Sequence, residues 1–393
     1  NFVDAADGEG VSIMLDAAFN HTAWDVELGA LGVEYWSTNA TSATEIRDVE
    51  ARFFSKLDAY DQRATGSGDI APAPDRYDFG KWLDVKDVHF GRYAALVPNG
   101  GDSGRYNNEE DWFDYSQFDE ITRNVWAYFG AYVPYWLEKT GHPAGTPPED
   151  HARGIDGLRC DFGQGLPPQA WEYIINRARS IKWSFVFMAE TLDGGAPPYR
   201  SNRHFDILNE NIIFALKGAG NTTAYRSILE ERRSSFGQGL VLLNTVSHDE
   251  ANYVDPWEAV IRYGVVSSVD GSPMLFAGQE LGLSEKYGYD LMEINFGKHI
   301  PHFKTFNSMM PLWLDGDFGN DQLFPVYSGI NRARNQSPAL RSSNRYFLNP
   351  IDLGGAYEAI FSVAKYEHPN GSPATSDVVF AFMNLDRNNT QGT

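Results

Sequence analysis

Short apolar runs alternate with longer amphipathic stretches between residues 11 and 280, and this pattern limits the possible folds more than any other feature. The runs are VSIMLDAAF (11–19), GIDGLRCDF (154–162), SFVFMAE (184–190), HFDIL (204–208), GLVLLNTVSH (239–248) and PMLFAG (273–278). Each is rich in Val, Ile, Leu or Phe, the composition of parallel strands buried on both faces. Between them, PQAWEYIINRARSI and AYRSILEERRSSF carry apolar residues at helical spacing, and Pro167 and Pro168 suit the start of the first helix. Strand–helix alternation predicts a parallel sheet with helices outside it, as a closed barrel or an open doubly wound sheet. FNHTAWD, which follows the first run, lacks G-x-G-x-x-G, and this weakens the nucleotide-binding form of the open sheet.

The interval 22–118 breaks the alternation. It contains GSGDIAPAPD, NGGDSG and RYNNEEDWFDY, all turn-rich, and is too long for a bare loop inside a compact domain. It reads as an inserted subdomain, after which ITRNVWAYFGAYVPYWLEKTG returns the chain to helix. Near the end, AYEAIFSVAKYE and SDVVFAFMNLD read as antiparallel strands of a small β domain. The expected division is a catalytic unit over 1–21 and 119–341, an insertion over 22–118 and a C-terminal β domain over 342–393.

Composition excludes several classes of function. A net charge of -21 opposes binding to nucleic acid or to an anionic membrane. No run approaches the eighteen or so apolar residues of a membrane helix. A single cysteine, Cys160, excludes an internal disulfide framework, and its apolar surroundings suit an inert buried thiol. The aromatic content, with 10 Trp and 20 Tyr, mildly favours a carbohydrate ligand. The opening NFVDAADGEG reads as a helix end running into a strand and shows no signal-peptide pattern. A secreted or periplasmic setting is slightly favoured but not read from this terminus, and oligomeric state is not legible.

Polar groups gather at the carboxyl ends of the apolar runs: Asp16, Asn20 and His21 on the first, Arg159 and Asp161 on the second, Glu190 on the third, His248 and Asp249 on the fifth. In barrel enzymes the active site is assembled at that end from several strands. One Asp after a strand reads equally well as a helix cap, and one His as a satisfied core residue. Four strands bearing such groups at the same end are harder to explain by capping. Retaining glycoside hydrolysis needs two carboxyl groups about 5–5.5 Å apart, and adjacent parallel strands lie about 4.8 Å apart. Asp161 and Glu190, on consecutive runs, fit that requirement.

These residues also match a family. GLRCD (157–161) resembles the second motif of the α-amylase family of glycoside hydrolases, DAAFNH (16–21) its first, FMAE (187–190) its third and VSHDE (246–250) its fourth. GSPMLFAGQELG (271–282) is similar to the stretch around that family's eighth barrel strand. The resemblance implies a (β/α)8 TIM-type barrel with an inserted subdomain after the third barrel strand and the start of a C-terminal antiparallel β domain. It implies Asp161 as nucleophile, Glu190 as acid/base and Asp249 as the third catalytic carboxylate. Arg159 would keep Asp161 ionised and oriented, while His21 and His248 would bind sugar hydroxyls. Asn20 matches a position that contributes to a structural calcium site, and an Asn closing a turn reads as well there. No organic cofactor is implied, and the expected ligand is an α-glucan or oligosaccharide.

Two departures accompany the resemblance. The family's second motif often continues to a Lys-His pair, whereas Asp161 here is followed by FGQGL, with Gln164 and Gly165. The motifs fall on strands three, four, five and seven, and the last run on strand eight, so strands one and two are not seen. The expectation is an incomplete barrel, completed by upstream sequence, by another chain or by a non-standard element, with the C-terminal domain stopping early. A retaining α-glucan hydrolase is the expected activity. A transglycosylase of the same family, a metal-dependent barrel lyase using Asp16, Asp161 and Glu190, and a non-catalytic carbohydrate-binding or interaction protein stay open.

Overall fold

Pro168 opens a helix without leaving an N–H unsatisfied, and apolar residues then recur on one face at Ala170, Trp171, Ile174, Ile175 and Ala178, all buried. Local rules of this kind account for most elements in the computed structural model. It describes residues 2–19, 21–23, 85–87, 120–147, 150, 152–161, 163, 168–190, 205–209, 212–235, 239–247, 253–282, 319–348 and 358–390. These fall into two compact units.

The first unit begins with α1 (Phe2–Gly8), β1 (Met14–Ala17), β2 (His21–Ala23) and β3 (Val85–Asp87). It continues with α2 (Glu120–Lys139), β4 (Gly157–Cys160), α3 (Pro168–Ile181), β5 (Val186–Glu190) and β6 (Ile207–Asn209). β1, β4, β5 and β6 are parallel neighbours in that order, as the strand–helix alternation predicts. β2 and β3 form a separate antiparallel pair, His21 opposite Asp87, so residues far apart in sequence meet there. Behind the sheet, Phe19 stacks on Trp171 at 5.6 Å and packs against Phe129 at 4.7 Å, tying the end of β1 to α2 and α3.

The second unit contains α4 (Ile213–Gly218), α5 (Thr222–Ser235), β7 (Leu240–Asn244), α6 (Pro256–Ser267) and β8 (Ser272–Met274). It ends with α7 (Phe324–Gln336), α8 (Pro338–Arg341), β9 (Arg345–Phe347), β10 (Ile360–Tyr366) and β11 (Val378–Asn384). β7 and β8 are parallel, which brings the parallel strands among the described residues to the six expected. Gly271 turns the chain into β8 at φ +133°, where a Cβ would stand 2.7 Å from Leu243, so only glycine fits. β9, β10 and β11 form the antiparallel C-terminal sheet. Among the described residues no helix is long and apolar enough to cross a membrane.

Buried and part-buried cations tie chain segments of this second unit to one another. The Arg334 guanidinium donates to the carbonyls of Ser267, Val269, Gly271 and Leu340 at 2.7–3.0 Å, satisfying the end of α6 and the turn into β8. Arg345 pairs with Glu230 and with Asp270. Lys365 lies opposite Arg345 in the sheet and donates to the Ser342 carbonyl at 2.6 Å. Burial, together with Arg345, Arg334 and Arg233, lowers the Lys365 ammonium to about 7 from 10.5.

This sets a pH dependence. The unfolded chain keeps the Lys365 proton up to about pH 10.5, while the folded chain releases it near 7, so stability rises across that window and is lowest below pH 7. The Tm difference between Lys365→Met and the parent should therefore shift in favour of the parent by about 3 °C or more between pH 6 and pH 10. Thermal melts of both proteins across this range check the trend, and a shift in favour of the variant would contradict it.

Candidate active site

Strand alternation sorts the residues of β4 and β5 onto two faces. Leu158, Cys160, Phe187 and Ala189 are fully buried on one face. Arg159 and Glu190 occupy the other, with Asp161 continuing the alternation just past β4. The register sets Asp16 opposite Arg159 and Cys160 opposite Ala189, so Asp161 and Glu190 follow as neighbours at the carboxyl ends. The Asp161 N–H donates to the Ala17 carbonyl at 3.2 Å, which continues the ladder past the last strand residue.

A single guanidinium joins the three carboxylates. Arg159 Nη1 donates to both oxygens of Asp16, at 2.9 and 3.1 Å, and also to Asp161 Oδ1. Its Nη2 donates to Glu190 Oε2 at 2.8 Å. The side chains of Arg159, Asp161 and Glu190 are 17%, 18% and 15% exposed, so all three are largely shielded yet open to a ligand. Asp16 is the solvent-facing member of the group. Burial works against the Arg159 charge, but Glu190, Asp161 and Asp16 outweigh it and hold the guanidinium above its ordinary range.

Gly163 supports the same end of the sheet. Its carbonyl accepts from Trp171 Nε1 at 2.8 Å, and a Cβ on it would stand 3.0 Å from the Glu190 carbonyl and 3.3 Å from Ala189. A side chain there would press on the backbone that carries Glu190.

Of the residues expected from sequence, Arg159, Asp161 and Glu190 are thus brought together. His21 lies in β2, where its backbone pairs with β3. Asn20, His248 and Asp249 lie outside the described residues, as do Gln164 and Gly165. Among the described residues no group of three His, Cys, Asp or Glu side chains is arranged as a metal site. Two contributors were not assigned from sequence. Asp16 was legible as a strand-end carboxylate, but its bond to Arg159 spans 143 residues. Gly163 gave no signal beyond a glycine after the motif.

Comparison with protein-family models finds no match. The chain is similar to the α-amylase MalA of Haloarcula japonica, 26% identical over 136 residues, which is 33% of this chain and 20% of that protein. Among solved structures, it resembles a maltogenic α-amylase, AmyB, from Thermotoga neapolitana. That likeness has a TM-score of 0.57 and 16% identity, covering 98% of this chain and 67% of the other. An α-amylase from Geobacillus thermoleovorans, solved with acarbose, gives a TM-score of 0.58 at 13% identity, covering 93% of this chain and 66% of that one. A cyclomaltodextrinase gives 0.58 at 16% identity, covering 97% of this chain and 53% of that chain. Together with the six parallel strands and the antiparallel C-terminal sheet, these likenesses show that the chain carries the fold of the α-amylase family, a (β/α)8-type barrel followed by a β domain.

Proposed function

We propose that this chain is the catalytic part of a retaining α-glycoside hydrolase acting on α-glucans. The observation that supports this most is the placement of Asp161 and Glu190 as neighbours on adjacent parallel strands, both bonded to Arg159. Adjacent strands set such groups about 4.8 Å apart. That is close to the 5–5.5 Å of double displacement and short of the roughly 6.5–9.5 Å that leaves room for an attacking water.

In this reading Asp161 attacks the anomeric carbon while Glu190 protonates the departing glycosidic oxygen. Glu190 then takes a proton from the water that cleaves the Asp161 ester. The anomeric centre becomes positive as the bond breaks. Asp16, Asp161 and Glu190 against Arg159 carry an excess of negative charge, which suits that centre. Asp249 is proposed as the third catalytic carboxylate, and His248 and His21 as sugar-binding partners, on the strength of their motifs. The α-amylase named above was solved with acarbose, and an oligosaccharide substrate for this chain is in keeping with that likeness.

Chromatography of products from soluble starch, maltooligosaccharides, sucrose and trehalose tests the substrate class, and release of shorter glucans from the first two is expected. Proton NMR of the first-formed product should show the α-anomer, whereas an initial β-anomer would mean direct attack by water. Asp161→Asn should lower kcat by several orders of magnitude, because an amide is a far poorer nucleophile. Arg159→Lys keeps the charge but loses the planar fork that reaches three carboxylates. It should lower kcat by about a hundredfold in a protein that still folds, and near-wild-type turnover would remove Arg159 from the mechanism.

A further inference from the structure

The amino-terminal ends of the same strands carry a second ionic cluster, which the proposed reaction does not use. Lys182 is 1% exposed, and its ammonium donates to the carbonyls of Arg153, Gly154 and Ile155 at 3.0–3.4 Å and to Asp156 Oδ1 at 2.8 Å. The other carboxylate oxygen of Asp156 accepts the Ile13 N–H at 2.7 Å. The Asp156 backbone donates to the Ile13 carbonyl at 2.7 Å and accepts from Val186 N–H at 2.8 Å. One aspartate therefore touches the starts of β1, β4 and β5 together, held by a buried cation.

The arrangement recurs one strand further on. Asp206, directly before β6, accepts the Phe187 N–H at 2.8 Å through Oδ2 and returns its own N–H to the Phe187 carbonyl at 2.9 Å. Arg179, on α3, donates to the same carboxylate oxygen at 2.7 Å. In both places an Asp immediately ahead of a strand closes a two-bond ring with the residue opposite it, and a cation from α3 or the residue just after it secures the carboxylate. The strands concerned have only three to five residues, so few ladder bonds oppose a slip. A slip of one residue would turn every side chain to the wrong face. Arg159 and Glu190 would exchange places with residues such as Leu158 and Ala189.

We infer that Asp156 with Lys182, and Asp206 with Arg179, are positioning residues that lock the register of β1, β4, β5 and β6 and so keep Asp16, Arg159, Asp161 and Glu190 assembled at the opposite ends. Only the kinetic consequence of this rests on the proposed activity.

Site-resolved amide hydrogen exchange on the intact chain tests the lock directly. Lys182→Met removes the cation, and Asp7→Asn serves as the matched control. Asp7 accepts the Gly154 N–H at 2.9 Å and so ties α1 to the same loop without spanning two strands. In Lys182→Met the Asp161 amide, at the far end of the β1–β4 ladder, should exchange about tenfold faster relative to the rest of the unit. In Asp7→Asn that ratio should be unchanged. An Asp161 amide that keeps its relative protection, or a uniform rise across all amides, would overturn the inference. If Lys182→Met does not fold, Asp206→Asn decides in the same way, read at the Ala189 amide, which alternation places on the β6 side of β5. With activity in hand, kcat should fall while KM stays within about twofold, and the limbs of the kcat–pH profile should move as Glu190 and Arg159 separate. An inactive parent chain would count against the proposed activity and leave the exchange result to stand on its own.

Discussion

Three carboxylates that share one pocket repel one another unless something stands between them. At a separation of about 5 Å and an effective dielectric near 20, two ionised carboxylates on adjacent strands, such as Asp161 and Glu190, would oppose assembly by about 3 kcal/mol. That is a large part of the 5–15 kcal/mol by which a domain is stable. Arg159 answers this with a planar fork whose two terminal nitrogens reach Asp16, Asp161 and Glu190 from one side. A lysine would offer one point of charge. The guanidinium therefore has to lie in the middle strand of three, in register with all of them, and the sheet is built around that need.

Register is set from both faces and from the far ends. The fully buried face of β4 and β5 allows no exchange of inward and outward positions, because Leu158 and Phe187 would lose their packing. The second unit solves a related problem by other means. Arg334 and Lys365 donate chiefly to backbone carbonyls, so their charge serves to close chain ends against one another. Shielded cations serve both units, as a hub for carboxylates in one and as staples for main chain in the other.

Much of this was legible in the sequence wherever the cause is local. The helix over 168–181 follows from its proline start and apolar spacing, and β10 and β11 from their strand-like apolar runs. The run read as a strand over 204–208 is displaced to Ile207–Asn209, because Phe205 is taken into the core and Asp206 is committed to β5. The run at 273–278 stops at Met274. Gly278 turns the chain at φ +94° and Glu280 caps that turn by accepting its N–H at 2.9 Å, so apolar composition alone overstated the strand. In the site, the motif residues Arg159, Asp161 and Glu190 were legible, whereas the Asp16 bond was not, since it joins positions 143 apart. Lys182 was invisible for the same reason. A lysine after a helix reads as a solvated end, and nothing nearby in sequence shows the carbonyls that surround it.

The chain also contains a built-in reporter of its own breathing. Cys160 is the only cysteine in the sequence, is fully buried on the outward face of β4, and directly precedes Asp161. A thiol-reactive dye can reach that sulfur only when β4 parts from its surroundings, so the labelling rate measures how often the strand carrying Asp161 opens. Neither a substitution nor a substrate is needed to follow that clock.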